Sequence, residues 1–142
     1  MAAQALIIIP AIVIGAIIGL YELILIHRDE NFRGSHWLGH GLHSGIFAIV
    51  GTFVTMNTTW VYNTFNFLHQ VPFIQNPLIF QILVGFVMMI KVHAASAVVK
   101  GTMGSTKGMK ETWAHSFIVA GLVVAAPYIY PFIQPMLPKT WK

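Results

Sequence analysis

The chain has 142 residues, of which 56% are hydrophobic and 8% charged, and its formal net charge is +4. Soluble domains carry about a quarter charged residues, and one domain of this length has no core large enough to bury four long apolar runs. The composition therefore excludes a soluble globular protein and a disordered tail. It also excludes a nucleic-acid binder, and the basic balance is only a small excess over very few acids, which says nothing about polyanionic partners. The absence of Cys excludes disulfides and thiolate chemistry.

Four apolar segments follow one another along the chain, each long enough to cross a bilayer. At about 1.5 Å per residue, some 20 residues span a hydrocarbon core of roughly 30 Å. Backbone groups there must be satisfied internally, which favours helices. The predicted spans are residues 5–26, 37–62, 78–99 and 112–132. The predicted fold is all-α, a single membrane domain over residues 1–142 that forms an integral membrane four-transmembrane-helix bundle.

The connecting segments predict the orientation of this bundle. The loops after spans one and three contain five Lys and Arg residues, the loop after span two contains none, and the C-terminal tail contains two. Because basic residues favour the cytoplasmic side, we expect both basic loops in the cytoplasm and both termini outside. The uncharged segment 63–76 is then an outer loop. Its phenylalanines favour burial in the interface or against another subunit. The predicted location is the cell membrane, as a multi-pass protein.

Small residues predict how the first two spans pack. Helices associate in lipid through close backbone approach and polar contacts. Small residues recur at four-residue intervals in span one (Ala11, Gly15, Gly19) and in span two (Gly41, Gly45). Glu22 lies three residues after Gly19, on the same helix face. We therefore expect the Glu22 carboxyl to point at a neighbouring helix rather than at lipid.

Histidines are concentrated on the predicted cytoplasmic side. His36, His40 and His43 form one stripe at the start of span two, while His93 and His115 lie near the inner ends of spans three and four. Imidazole suits copper, zinc, iron and nickel. The candidate metal ligands are His36, His40, His43, His93, His115 and Glu22.

Several chemistries remain open for this histidine cluster. His36 and His40 can chelate one metal ion if a third ligand comes from another helix, and His43 with His93 is the pair placed to hold a haem. A proton relay is a third alternative, because imidazole titrates near neutral pH. The histidines can also simply hydrogen-bond to loops and headgroups. We leave the cofactor undetermined between copper, another metal, haem and none.

The segment from His27 to His36, continued by Trp37-Leu38-Gly39-His40, is the most distinctive sequence in the chain. With the chain's size and span count, it resembles the small multi-span accessory subunits of the archaeal ammonia monooxygenase, a copper membrane enzyme. The resemblance implies a subunit packed around catalytic subunits in a complex for ammonia oxidation. No stretch matches the copper-ligand motifs of the catalytic subunits, so no site residue is carried over.

Two functions follow from the sequence. The first is a non-catalytic membrane subunit that stabilises or positions other integral membrane subunits, with no activity of its own but within an oxidoreductase complex. The second is a metal- or haem-binding redox protein that uses the histidine cluster. A channel or transporter is favoured less, because only Glu22 and Lys91 are charged within the spans and no broken-helix repeat is visible.

Overall fold

The computed structural model describes the backbone of residues 6–28, 37–102 and 113–141, and the side chains of residues 6–24, 42–93 and 113–141. The described residues form α-helices and short 3₁₀ helices and include no strand. The α-helices are α1 (Ile9–Arg28), α2 (Trp37–Met56), α3 (Thr58–Thr64), α4 (Pro77–Thr102) and α5 (Trp113–Ile133). The all-α prediction is therefore confirmed.

The four long helices pack into one bundle in which α2 contacts α1, α4 and α5, and α1 also contacts α5. Two of the buried apolar clusters stack along the bundle, and a third lies where α3 meets the start of α4. We call the end at which α1 ends and α2 begins the inner end. Residues 65–76, between α3 and α4, form the outer segment at the opposite end.

Close approach of α1 to α2 explains the glycine spacing in the first span. A Cβ atom added to Gly15 would lie 2.5 Å from the Cα of Ile49, and one added to Gly19 would lie 2.6 Å from the Cα of Gly45. Both distances are far below van der Waals contact, so only glycine allows these backbones to meet. The predicted packing face of the first span is confirmed, and Glu22, on the same face, is fully buried.

The second predicted span is not one straight helix. Within the predicted span 37–62 the helix is broken, because α2 ends at Met56 and α3 continues at an angle of 89°. Asn57 occupies the break. Its Nδ2 donates to the carbonyls of Phe53 (2.9 Å) and Ile7 (3.0 Å), and its Oδ1 accepts from the Ile7 N–H (2.8 Å). An asparagine amide bonded to nearby backbone competes with helix continuation.

The outer segment is more ordered than the predicted loop. A 3₁₀ helix spans Asn66–Gln70. Asn76 caps α4, because its Oδ1 accepts a hydrogen bond from the Leu78 N–H (3.0 Å). Pro77 occupies the first position of α4, where a backbone N–H would have no partner within the helix and proline is therefore tolerated. Phe73 has a φ of 68°, in the left-handed region that is strained for a bulky side chain.

Two prolines, Pro127 and Pro131, lie inside α5 and do not end it, since α5 runs on to Ile133. Pro127 has no N–H, so the Val123 carbonyl lacks its usual helical donor. The Thr55 hydroxyl of α2 donates to that carbonyl at 2.9 Å. A contact between helices thus replaces the bond that the proline removes.

Among the described residues, one helical stretch, Trp113–Met136, is long and apolar enough to cross a membrane. The bent pair Leu42–Met56 and Thr58–Thr64 is long and apolar enough to cross a membrane only when its two helices are counted as one segment. The described apolar stretches Ile9–Ile24 and Pro77–His93 are shorter. By length and composition, the described part of the chain therefore supports one span, or two if the bent pair is one span. The four-span arrangement stays a prediction.

Candidate functional site

A polar layer lies at the inner end of the bundle. The apolar layer above it is formed by Ile18, Ala48, Val92 and Val119. One helical turn further towards the inner end, the same helix faces carry Glu22 on α1, Ser44 on α2 and Ser116 on α5. We call these three residues the polar layer. Their exposed fractions are 0%, 1% and 0%, so all three side chains lie inside the bundle.

The hydroxyls of the polar layer are not satisfied within the described part of the protein. The Oγ atoms of Ser44 and Ser116 are buried and have no hydrogen-bond partner there. Buried hydroxyls are normally paired. The layer therefore combines a fully buried carboxyl with two buried hydroxyls that are available to a further group.

Two histidines flank the inner end at half-buried positions. The His93 ring of α4 stacks on the Trp113 indole of α5, with centroids 3.7 Å apart and planes 12° from parallel. His115 lies two residues after Trp113 and is also half-buried. The His93–Trp113 stack ties the inner ends of α4 and α5 together, which gives His93 a packing role whether or not it binds a ligand.

The predicted histidine cluster is described only in part. His36 lies outside the described residues, as does the side chain of His40. His43 is exposed, with its ring 5.3 Å from that of Phe47. Within the described residues, no group of three or more His, Cys, Asp or Glu side chains is placed to hold a metal ion. The metal site and the haem pair of His43 with His93 stay predictions.

A hydrogen-bonded chain in the outer half of the bundle was not predicted from the sequence. The Gln81 Nε2 donates to the Thr55 carbonyl (3.1 Å), and the Tyr128 hydroxyl donates to the Gln81 Oε1 (2.6 Å). Together with the bond from Thr55 to Val123, this chain links α2, α4 and α5. The sequence feature that could have predicted this chain is a glutamine within an apolar segment, since such a side chain needs a hydrogen-bond partner in another helix.

Exposed aromatic rings are concentrated on the outer segment. Phe65, Phe67 and Phe73 are 45%, 63% and 76% exposed. His69 packs on Tyr62 (centroids 4.4 Å apart), and its Nε2 lies 3.0 Å from the Tyr62 carbonyl oxygen, so the segment is held against α3. Large exposed apolar rings on an ordered segment mark interaction sites.

Shallow apolar grooves run between the helices on the surface of the bundle. A groove of about 390 Å³ lies between α2 and α4, with Lys91 among its lining residues. A second, of about 360 Å³, lies between α4 and α5 over Gly85 and Gly121. The side chain of Lys91 is exposed, as expected for a lysine that extends along apolar surface towards water.

Comparison with known proteins adds no relative: no family model, curated protein or solved structure matches this chain. The proposals below therefore depend on the residues of this chain and on the resemblance given by its sequence.

Proposed function

We propose that this protein is a non-catalytic integral membrane subunit of a larger membrane enzyme complex, in which it stabilises or positions partner subunits. The observation that carries the proposal is the distribution of its side chains. Polar groups are enclosed, among them Glu22, Thr55 and Gln81, while large apolar side chains such as Ile17 and Phe86 point outwards. Exposed apolar helix faces around a polar interior suit a lipid environment, where an exposed carboxyl would be costly.

The proposed arrangement has four spans, with both termini outside and the two basic loops in the cytoplasm. Its support is the antiparallel packing of α1 on α2, the burial of Glu22, and the excess of basic residues in the loops after the first and third segments. Lipid surrounds the apolar faces, and partner subunits replace lipid where they dock.

The outer segment is the proposed contact with partner subunits. It carries three exposed phenylalanines, and Phe73 is held in a strained backbone conformation. Strain of this kind persists where the surrounding structure enforces it, and it is concentrated at functional positions. Aromatic side chains supply much of the binding free energy at protein interfaces.

The resemblance to accessory subunits of the archaeal ammonia monooxygenase suggests the class of complex. In that setting the chain contributes packing surface, and the copper chemistry belongs to other subunits.

Gentle solubilisation of native membranes, separation of complexes by size and mass spectrometry of each fraction test this proposal. We expect the chain to migrate in fixed ratio with the subunits of a membrane oxidoreductase. Phe67→Ala with Phe73→Ala should weaken that association at least about 30-fold, since each exposed anchor contributes about 1–3 kcal/mol and 1.4 kcal/mol corresponds to tenfold. Phe117→Ala, at a ring that is 68% exposed near the inner end, is the matched control. Migration of the wild-type chain alone would contradict the proposal.

A metal- or haem-binding redox protein is the second candidate. It is favoured by the half-buried His93 and His115, which lie towards the same end of the bundle as the buried Glu22. Metal and haem content of the purified chain decides between the two functions. Loss of a bound cofactor in His40→Ala or His93→Ala, with the fold intact, would favour the second function. His69→Ala, in the outer segment, is the control. Unchanged content in all three variants would count against it.

A further inference from the structure

We infer that the groove between α2 and α4 binds an anionic phospholipid, with an acyl chain along the groove and the phosphate paired with Lys91. This inference rests on the proposed membrane location, but it requires neither a partner subunit nor a metal or haem. The site is separate from the histidine cluster and from the outer-segment phenylalanines.

The groove is an apolar channel on the surface of the bundle, with a volume of about 390 Å³. Gly51 of α2 and Met88 of α4 are buried and form its floor. Val50 and Val87 form its rims and are 53% and 54% exposed. The groove therefore opens onto the face of the bundle that lipid surrounds in the proposed arrangement.

The length of the groove suits one acyl chain. Its lining residues on α4 extend from Phe80 to Lys91, a distance of about 16 Å at about 1.5 Å per residue. The hydrocarbon core of a bilayer is about 30 Å thick, so one leaflet contributes about 15 Å. Ile74 and Phe80, which pack in one buried cluster, bound the groove at the outer end. An acyl chain along the groove is thus in apolar contact over roughly the depth of a leaflet.

The charge at the inner end of the groove selects the headgroup. Among the described residues that line the groove, Lys91 alone has a polar side chain, and none is acidic. Of the lining residues on α4, Lys91 lies nearest the inner end, and its side chain is exposed. A lysine at such a position lays its alkyl stem along apolar surface and extends its ammonium towards the headgroups. An anionic phosphate pairs with that ammonium, whereas the cation of a zwitterionic headgroup offsets the attraction.

A helix from a second copy or from a partner subunit is the alternative occupant. Such a helix would have to enclose the Lys91 ammonium or place an acid opposite it, and both are costly within a membrane. In the part of the chain whose side chains are described, Glu22 is the only acid, and it is buried inside the bundle. A second copy therefore presents no described carboxylate to Lys91, while a lipid phosphate balances its charge directly.

Native mass spectrometry of the purified full-length chain in detergent micelles tests the headgroup preference. The chain is titrated with phosphatidylglycerol or with phosphatidylcholine of the same acyl chains. We expect one phosphatidylglycerol per chain at saturation, with a Kd about fivefold lower than that for phosphatidylcholine. Lys91→Gln should remove this preference, and Lys91→Arg should retain it. Lys139→Gln, at an exposed lysine of the C-terminal tail, is the control and should behave as the wild-type chain does.

A second pair of variants tests the groove itself. Val87→Trp places a bulky ring at the rim and should weaken binding of both phospholipids alike, by about fivefold or more, which corresponds to the contacts of one to two methylene groups. Ile82→Trp is the matched control, because Ile82 lies on the same helix and is 53% exposed but lines the groove between α4 and α5.

Equal affinity of the wild-type chain for the two phospholipids would overturn the inference, as would a preference that survives in Lys91→Gln. Equal binding by Val87→Trp and Ile82→Trp would also overturn it. In native membranes, Leu83→p-benzoylphenylalanine, at a residue that lines the groove, should cross-link to phospholipid, and a cross-link to a protein chain would contradict the assigned occupant. Because the titrations use the isolated chain, their failure is distinct from failure to co-migrate with a larger complex.

Discussion

Two glycines that lie against each other are predicted to respond to alanine in opposite directions. The Cβ of Gly19→Ala would meet the Gly45 Cα at 2.6 Å, whereas a Cβ added to Gly45 has no atom within 4 Å. The two residues are alike in sequence, since both belong to a small residue–xxx–small residue pattern. Their difference comes only from the direction in which each Cα–Cβ bond points.

The expected magnitude follows from that contact. Restoring an ordinary separation of 3.4 Å requires α1 and α2 to part by about 0.8 Å. A gap of that size removes about a quarter to a half of the attractive dispersion energy of each contact between α1 and α2. Overpacking of this kind costs about 1–3 kcal/mol. Gly45→Ala carries no such clash and gains up to about 1 kcal/mol of helix propensity.

Reversible unfolding in mixed detergent micelles, followed by circular dichroism, measures both variants. We expect Gly19→Ala to lower the free energy of unfolding and Gly45→Ala to leave it unchanged or raise it, with a difference of at least about 1 kcal/mol. Gly121→Ala is a second control, because its Cβ also meets no atom within 4 Å. Equal destabilisation by Gly19→Ala and Gly45→Ala would refute the helix register described above.

Three further predictions concern polar contacts in the outer half. Thr55→Val leaves the Val123 carbonyl without a donor and should lower the free energy of unfolding by about 1–3 kcal/mol, while Thr55→Ser should be close to wild type. Equal destabilisation by the two variants would contradict the hydrogen bond from the Thr55 hydroxyl to the Val123 carbonyl. Asn57→Leu removes both hydrogen bonds to the Ile7 backbone, so hydrogen exchange of the Ile7 amide should become at least about tenfold faster. An unchanged exchange rate would contradict these two hydrogen bonds. Tyr128→Phe should cost about 1 kcal/mol in the same unfolding assay, and its effect should vanish in a Gln81→Leu background.

Apolar composition alone predicted where the long helices lie. α2, α4 and α5 begin at Trp37, Pro77 and Trp113, each within one residue of the predicted start. The packing face of α1 was also predictable, because glycine spacing and Glu22 share one side of a helix. These features depend on local periodicity, which the order of residues contains directly.

The break at Asn57 was not predictable, because it depends on a partner 50 residues away. A polar residue inside an apolar run has no visible consequence until the peptide that it binds is placed beside it. The hydrogen-bonded chain through Gln81 was missed for the same reason. Which face of α4 meets α2 is set by helix arrangement, which sequence spacing does not give.

The candidate site at the inner end shows how one helical step changes an interpretation. The sequence drew attention to His43, yet its ring is exposed, while the neighbouring Ser44 is buried. A turn of about 100° per residue separates the two side chains. Serines within apolar helices are common, so nothing in their spacing marked Ser44 and Ser116 as members of one layer.

Accessibility of single cysteines in intact cells tests the membrane arrangement most directly, because the chain contains no cysteine of its own. We expect a membrane-impermeant maleimide to label Asn63→Cys and Thr140→Cys in intact cells, since both residues are exposed and neither belongs to the outer segment that partner subunits cover. Ser105→Cys, in the basic loop before α5, should be labelled only after permeabilisation. Labelling of Ser105→Cys and Asn63→Cys at the same rate in intact cells would contradict the proposed four-span membrane subunit.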